Sequence, residues 1–228
     1  MINRAKAEEA VRELLKNEKS MHDWEHSVRV CETALHLCRL EKGNENVVML
    51  AALLHDCDDY KIFGQENAEE LTNARRILKE CGADEKTTAA VLEIVSNLGY
   101  SKYLSGKQKL DTNGHIVQDA DMLDAMGAIG IVRTIVYNAV AGSGKFFDVE
   151  MFPRERLSMK IYQAKSKTDE TAVNHMFEKL LRLKGLMYTE SAKKEAEVRH
   201  RTMVAFLRAF FQERGLVEWL DCLQQFES

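Results

Sequence analysis

Apolar residues recur at intervals of three and four along most of the chain, which is the period of amphipathic helices. Between residues 28 and 38, the apolar stripe comprises Val28, Cys31, Leu35 and Cys38. The sequence contains no internal repeat and no run in which apolar and polar residues alternate, as they do in half-buried strands. The pattern therefore predicts an all-α fold. The helices are expected at residues 5–15, 20–43, 45–55, 67–81, 85–98, 116–141, 168–186 and 189–214, with a short one ending at 226.

Polar caps and glycines mark the boundaries of these helices. Ser20, with Asp23 three residues on, is the predicted N-cap of the second helix, and Gly43 is its predicted C-cap. Asn44 and Asp84 are the predicted N-caps of the third and fifth helices. Loops are expected at residues 58–66, 99–114 and 142–167.

A chain of 228 residues is long enough to bury a full core as a single domain, and we expect one domain here. We assign residues 1–141 to the core, 142–167 to an irregular connection, and 168–228 to C-terminal helices packed on the same core. Gly127 and Gly130 are expected to let a neighbouring element approach the last core helix closely.

Composition narrows the class of protein. The net charge of −4 provides no general attraction for nucleic acid or for anionic membranes, so we expect neither as a partner. No apolar stretch reaches the roughly 18 residues that a membrane span needs, and the N-terminus has no signal-peptide core. The 5 cysteines are odd in number and show no C-x-x-C spacing. That pattern is typical of reduced thiols, so we expect a cytoplasmic protein.

The most informative stretch is an apolar run that ends in two metal-type ligands. Residues 47–54 carry no charge, and His55 and Asp56 follow directly. Because a charge that is buried without a partner is costly, a metal cation is the simplest partner for this pair.

Two further histidines lie on the second predicted helix. His22 and His26 are four residues apart and Arg29 is three further on, so the three share one helix face. Each histidine alone is more typical of a core or surface residue than of a ligand.

Three carboxylates crowd an otherwise apolar segment: Asp119, Asp121 and Asp124. An exposed first helical turn, favoured by the helix dipole, accounts well for Asp119. It accounts less well for the other two, because Met122 and Leu123 place this turn against the core.

In combination, His26, the pair His55-Asp56, and Asp121 resemble the H…HD…D signature of the HD superfamily of metal-dependent phosphohydrolases. The surrounding residues are similar to those of the small bacterial HD-domain nucleotide pyrophosphohydrolases. That similarity covers Ser20–Val30, Ala51–Asp56, Gln118–Asp121, Leu123–Gly130, His175–Leu181 and Glu197–His200. The resemblance implies an all-α HD-domain bundle. These relatives commonly carry Arg where this chain has Met122, so substrate affinity or choice could differ.

The resemblance also implies that His26, His55, Asp56 and Asp121 bind one divalent ion. Mixed imidazole and carboxylate ligands suit Mn²⁺, Fe²⁺, Co²⁺, Ni²⁺ or Zn²⁺, and tolerate Mg²⁺ less well. Relatives with two metals use further histidines between the HD pair and the last aspartate. Only His115 lies in that interval, so we expect a mononuclear centre with His115 structural or solvated.

Related nucleotidases place a water-orienting acid a few residues after the HD pair. Asp59 follows Asp56 by three residues, so we assign Asp56, as a ligand, and Asp59, as the base, to the catalytic group. Asp58 competes for the role of base, and it can equally be a solvated loop residue.

Cations are needed to hold phosphates. Lys61 is the first choice, and the resemblance adds Lys179 and Arg199, although exposed helical charges of this kind are common. Arg29 can bind substrate, or it can instead bind and orient a carboxylate that ligates the metal. His22 can bind substrate, stabilise the leaving group, or make a structural hydrogen bond.

The predicted activity is release of pyrophosphate from (deoxy)nucleoside triphosphates. Alternatives are a 5′-nucleotidase, a cyclic-nucleotide or guanosine-tetraphosphate hydrolase, and a non-catalytic module that senses nucleotides. Residues 142–145 lack the spacing of a phosphate-binding P-loop. His36 is expected at the surface or in packing, and the aromatic residues after 205 in the core or in a homodimer face.

Overall fold

The computed structural model describes residues 2–18, 21–100, 102, 108–141, 144–154 and 171–227, with only the backbone of Lys61 and Ala141. Every regular element in these residues is a helix, which confirms the all-α prediction. The elements are α1 Arg4–Leu15, α2 Trp24–Glu41, α3 Glu45–Leu54, α4 Tyr60–Phe63, α5 Gln65–Glu70, α6 Thr72–Glu80, α7 Glu85–Asn97, α8 Thr112–Asp124, α9 Gly127–Ala141, α10 Ala172–Glu178, a 3₁₀ helix Leu180–Leu186, α11 Glu190–Glu213 and α12 Val217–Gln224.

The chain divides into two compact units, Met1–Asp121 and Met122–Ser228, and α8 crosses the boundary. The assignment of the whole chain to one domain stays a prediction. None of the described helices is by itself long and apolar enough to cross a membrane, although the bent pair formed by α8 and residues 127–140 passes on length and composition.

Helix α3 is the centre of the first unit. All of its residues from Val47 to Leu54 are buried, and it packs against α1, α2 and α7. The side chain of Asn44 accepts hydrogen bonds from the backbone N–H groups of Asn46 and Val47, which confirms the predicted N-cap. His55 is the C-cap, so the buried helix delivers the ligand pair at its end.

The ends of α2 differ from the prediction. Asp23 is the N-cap and accepts from the backbone N–H of His26, while Ser20 lies outside the described residues. At the other end, Lys42 takes the left-handed conformation expected of Gly43, with φ of 58°. Gly43 is required for a different reason: a Cβ there would lie 2.9 Å from Cδ1 of Ile116 on α8.

Two helices that the sequence predicts as continuous are broken at or before a residue with positive φ. The helix expected at 67–81 is interrupted at Leu71, whose φ is 51°, and the loop expected at 58–66 contains α4 and the start of α5. The helix expected at 116–141 is interrupted before Gly127, whose φ is 69°. Apolar periodicity continues across both breaks, so it does not reveal them.

The stripe expected on α2 is rotated: Val28 and Leu35 are half-buried, and Val30, Ala34 and Leu37 are buried instead. The buried face of α2 also contains His26.

An aromatic core holds the second unit together. Phe177, Phe211 and Trp219 are buried, and the indole N–H of Trp219 donates to the carbonyl of Val149 at 3.2 Å. Of the aromatic residues after 205, Phe211 and Trp219 are therefore in a core, one of the two predicted locations, whereas Phe206, Phe210 and Phe226 are half-buried. Residues 168–170 of the helix expected at 168–186 lie outside the described residues, and the rest is divided into α10 and the 3₁₀ helix.

The predicted close approach of a neighbouring element is confirmed at Gly127. A Cβ on Gly127 would lie 3.1 Å from Cβ of Arg199 on α11. A Cβ on Gly130 would lie 2.2 Å from the carbonyl oxygen of Ala125, so here the approaching group is the chain's own backbone just before α9.

Gly130→Ala is expected to lower stability, because backbone atoms must shift to admit the methyl group, at a cost of about 1–3 kcal/mol. Thermal denaturation should show a lower midpoint, by roughly 2–4 °C per kcal/mol. Gly185→Ala is the matched control, because Gly185 is also helical and a Cβ there has no atom within 4 Å. Equal midpoints for the two variants would contradict the steric argument.

Candidate metal centre

Three helices bring the predicted ligands together in the first unit. His26 lies in the first turn of α2, where the Asp23 cap fixes the helix start. His55 and Asp56 follow the buried helix α3, and Asp121 lies in the last turn of α8.

The four side chains converge on one point. Nε2 of His26 lies 3.1 Å from Nε2 of His55. Oδ2 of Asp56 is 3.4 Å and 3.2 Å from these two nitrogens, respectively. Oδ1 of Asp121 is 3.5 Å and 3.8 Å from them. Both carboxylates therefore lie close to both imidazole nitrogens, and His26, His55 and Asp121 form a group that can hold a metal ion.

A hydrogen bond orients one ligand of this cluster, and the exposed fractions of the side chains show which side of the cluster faces solvent. Nδ1 of His55 lies 2.8 Å from the carbonyl oxygen of Ala52, so Nδ1 carries the proton and Nε2 faces the cluster. The side chain of His26 is 0% exposed, whereas that of Asp121 is 32% exposed. Solvent therefore reaches the centre on the side of Asp121, and the histidines form its buried wall.

The charged groups of the cluster shift one another's pKa values. Burial lowers the pKa of His55, but the carboxylates of Asp56 and Asp121 outweigh burial, and the pKa lies above its ordinary 6.5. Burial raises the pKa of Asp56, but the charges of His55 and His22 outweigh it, and the pKa lies well below 3.8. Burial also raises the pKa of Asp121, but a hydrogen bond from His26 and the charge of His55 lower it below 3.8.

These residues fit a divalent cation. Two unprotonated imidazole nitrogens at 3.1 Å repel each other unless a proton or a cation lies between them. The raised pKa of His55 and the lowered pKa values of the carboxylates show that the protein creates a place for positive charge here. The donor set of two nitrogens and two carboxylates suits Mn²⁺, Fe²⁺, Co²⁺, Ni²⁺ or Zn²⁺.

His22 touches the edge of the cluster. Its Nδ1 lies 2.7 Å from Oδ2 of Asp56, and its side chain is 41% exposed. This is the structural hydrogen bond that the sequence left open as one alternative. The geometry also permits His22 to be a ligand together with His26 and Asp56. A substrate-binding role for His22 stays a prediction.

The two acids after the HD pair have different surroundings. Asp58 is only 4% exposed, and its carboxylate accepts from the backbone N–H groups of Asn73 and Ala74 at the start of α6. Asp58 is therefore not a solvated loop residue, and its competing role as base stays a prediction that the two backbone bonds disfavour. Asp59 is half-buried, and its N–H donates to the carbonyl of Asp56 at 3.2 Å. Its role as base stays a prediction.

The predicted phosphate-binding cations are dispersed in the chain. Arg29 is half-buried on α2, one turn beyond His26. Lys61 lies on α4, and its side chain is outside the described part of the structure. Lys179 follows α10 in the second unit. Arg199, on α11, donates to the carbonyl of Leu123 at 2.7 Å and to Glu195 at 3.0 Å. For all four, substrate binding stays a prediction.

The other acids of α8 correct the sequence reading. Asp119 is 0% exposed in the middle of the helix and is not part of an exposed first turn. Asp124 is buried and accepts a hydrogen bond from Arg133 at 2.7 Å. His115 is half-buried in α8, where the sequence predicted a loop. His36 is exposed on α2, one of its two predicted settings.

Sequence reasoning missed the backbone group that holds the ring of His55, and it missed a buried polar contact on the ligand helix α8. The hydrogen bond from His55 to the carbonyl of Ala52 is predictable from helix geometry, since Ala52 lies three residues before His55. Gln118, one turn before Asp121, is 1% exposed and accepts from the backbone N–H of Gly99 at 3.1 Å. No local pattern marks that contact, because its partners are 19 residues apart.

Comparisons with known proteins show similarity over most of the chain. Residues 23–126 match the family model described as HD domain. The protein YpgQ of Bacillus subtilis (strain 168) is 32% identical over 199 residues, which cover 87% of each chain.

Solved structures extend the similarity to the fold. A protein from Lactobacillus plantarum matches with a TM-score of 0.79 and 32% identity, over 93% of this chain and 96% of that one. An HD-superfamily hydrolase from Bacillus thuringiensis has a TM-score of 0.69 and 34% identity at the same coverage. Bacillus subtilis YpgQ in complex with ADP has a TM-score of 0.65 and 27% identity, over 91% of this chain and 97% of that one.

Removal of one ligand is expected to weaken metal binding strongly. His55→Ala deletes a donor from the buried wall, so the dissociation constant for Co²⁺ should rise by about 100-fold or more. Isothermal titration of chelator-stripped protein measures this directly. His36→Ala, on the exposed surface of α2, is the control and should bind as wild type does.

Metal binding is also expected to depend on pH. The pKa of His55 is raised, so its protonated form stabilises the metal-free protein below about pH 6.5. That contribution is lost as the pH rises through the raised value. A cation competes with this proton, so apparent Co²⁺ affinity should increase between about pH 6 and pH 8, with proton release to the buffer. Affinity that is flat over this range would contradict the shift.

Proposed function

The chain belongs to the HD domain superfamily of hydrolases, and on that premise we propose that it hydrolyses (deoxy)nucleoside triphosphates to the monophosphate and pyrophosphate in a metal-dependent reaction. The observation that carries the proposal is the cluster of two imidazoles and two carboxylates, buried on the histidine side and open at Asp121. A site of this form holds a cation beside solvent, where a phosphate chain can reach it.

A nucleotide substrate is supported by one comparison. YpgQ of Bacillus subtilis, which is similar over most of both chains, has been crystallised in complex with ADP. A nucleoside diphosphate bound to a relative favours nucleotides over other phosphate esters as the substrate class here.

In the proposed reaction, a water molecule attacks the α-phosphorus and the bond to the bridging oxygen of the β-phosphate breaks. His26, His55, Asp56 and Asp121 would hold the divalent ion, which would polarise a phosphoryl oxygen and make the attacking water more acidic.

Asp59 orients the attacking water and accepts its proton. Its N–H is bonded to the carbonyl of Asp56, so its backbone is fixed relative to a ligand. Lys61, two residues further on and within the short helix α4, neutralises phosphate charge.

Product analysis tests this reaction. Chelator-stripped protein reloaded with Mn²⁺ is expected to convert dGTP or ATP into the monophosphate and pyrophosphate, and His55→Ala should abolish turnover. Nucleoside plus phosphate would indicate a 5′-nucleotidase instead. Nucleotide binding without any product, for every divalent metal tried, would indicate a sensing module and would refute the proposal.

Asp59→Asn is expected to lower kcat by about 10²–10⁴-fold with little change in metal affinity, because the amide cannot accept the proton. Glu66→Gln is the matched control, since Glu66 is an exposed acid on α5, near Asp59 in the sequence. Steady-state kinetics at saturating Mn²⁺ would measure both. A kcat for Asp59→Asn equal to that of the control would remove Asp59 from the mechanism.

A further inference from the structure

Two residues, Asp58 and Asn73, tie the segment that carries the ligand pair to the start of α6. Oδ1 of Asp58 accepts from the backbone N–H of Asn73, and Oδ2 accepts from that of Ala74, each at 2.9 Å. In return, the side-chain Nδ2 of Asn73 donates to the carbonyl of Cys57, also at 2.9 Å. We refer to these three hydrogen bonds as the Asp58–Asn73 clamp.

The clamp is shielded from water. Asp58 is 4% exposed and Cys57 is 0% exposed. A buried carboxylate without partners is costly, whereas two backbone N–H donors satisfy one oxygen each. The positive end of the helix dipole of α6 adds to the attraction.

A strained break makes the start of α6 available. Leu71 has a φ of 51°, a left-handed conformation that is strained in a residue other than glycine. If α5 continued into α6, the N–H groups of Asn73 and Ala74 would be bonded within the helix. The break frees them, and Asp58 takes them up.

The clamp acts on Cys57, the residue directly after a ligand. The N–H of Cys57 donates to the carbonyl of Leu54 at 3.1 Å, and its carbonyl accepts from Asn73. Both polar groups of the Cys57 backbone are therefore held, one by α3 and the other by α6. Asp56 lies between the end of α3 and this fixed residue, which limits where its carboxylate can turn.

The side-chain bond of Asn73 is not needed to cap α6. The backbone N–H groups of Asn73 and Ala74 are capped by the carboxylate of Asp58, and the side chain of Asn73 takes no part in those two bonds. The separate bond from Nδ2 to the carbonyl of Cys57 therefore serves the ligand segment and not the helix end.

We propose that Asp58 and Asn73 are positioning residues of the metal centre, which act through the backbone of Cys57 to hold Asp56 against the two imidazoles. This role rests on the proposed function, because it assumes that the cluster binds a divalent ion. It also assigns a purpose to the break at Leu71.

The segment between the two halves of the clamp contains the predicted base and cation. Residues 59–72 lie between the two ends of the clamp, because Asn73 binds back to Asp58 and Cys57. Asp59 and Lys61 both lie near the start of this segment. The clamp joins the two ends of the segment, so it restricts the backbone at both residues.

The test compares Asn73→Ala with Asn67→Ala in the full chain, stripped of metal and titrated with Co²⁺. Asn67 is a matched control, since it is also half-buried and its Nδ2 donates to a backbone carbonyl, that of Phe63, at 2.9 Å. Asn73→Ala should raise the Co²⁺ dissociation constant by about 10–100-fold and alter the visible absorption of bound Co²⁺. Asn67→Ala should leave both within about twofold of wild type.

Identical Co²⁺ affinities and superimposable spectra for the two folded variants would overturn the positioning role. If Asn73→Ala does not fold, Asp58→Asn replaces it, because the amide keeps one acceptor oxygen for the start of α6. Asp58→Asn must then show the same weakening of Co²⁺ binding, and wild-type affinity in this variant would also overturn the proposal.

The measurement does not depend on turnover. A wild-type protein that binds Co²⁺ but hydrolyses no nucleotide would refute the proposed function, while weakened binding in Asn73→Ala would still support the clamp. Nucleotide hydrolysis by wild type, with unchanged Co²⁺ affinity in Asn73→Ala, would refute the clamp alone.

Discussion

Two imidazole nitrogens held 3.1 Å apart, with a carboxylate oxygen on either side, are the constraint that organises the first unit of this protein. Such an arrangement is unfavourable unless positive charge lies within it, since buried carboxylates and facing lone pairs both need a partner. The opposed pKa shifts of His55 and Asp56 express the same fact. A divalent cation satisfies all four groups at once, and a proton satisfies them only in part.

The local structure around the cluster restricts each ligand. Asp23 fixes the start of α2, so His26 has one position along the helix. The carbonyl of Ala52 holds the ring of His55 in one orientation and one tautomer. His22 contacts the carboxylate of Asp56 directly, and Asn73 donates to the backbone carbonyl of Cys57, the residue after Asp56. Preorganised ligands lose little freedom when the cation binds, so more of the interaction energy is available for affinity.

Breaks in helices recur where the structure needs free backbone groups or close packing. At Leu71, the break exposes N–H groups that bind Asp58. At Gly127, the break allows α9 to begin against Arg199, whose guanidinium binds the carbonyl of Leu123 near the end of α8. In both cases a strained or glycine-dependent backbone is stabilised by contacts that form only in the folded chain.

The sequence alone was sufficient for the helical class, for the buried helix α3 with its Asn44 cap, and for the choice of His26, His55, Asp56 and Asp121 as a candidate ligand set. These features depend on period, local capping and motif spacing, which are written along the chain. The break at Leu71 was decided instead by the tertiary structure, because the N–H groups that it frees are bound by Asp58, a carboxylate outside the helix. The same holds for Asp58, which reads as a loop acid until α6 folds back onto it: a hydrogen-bond partner 15 residues away leaves no mark in local pattern.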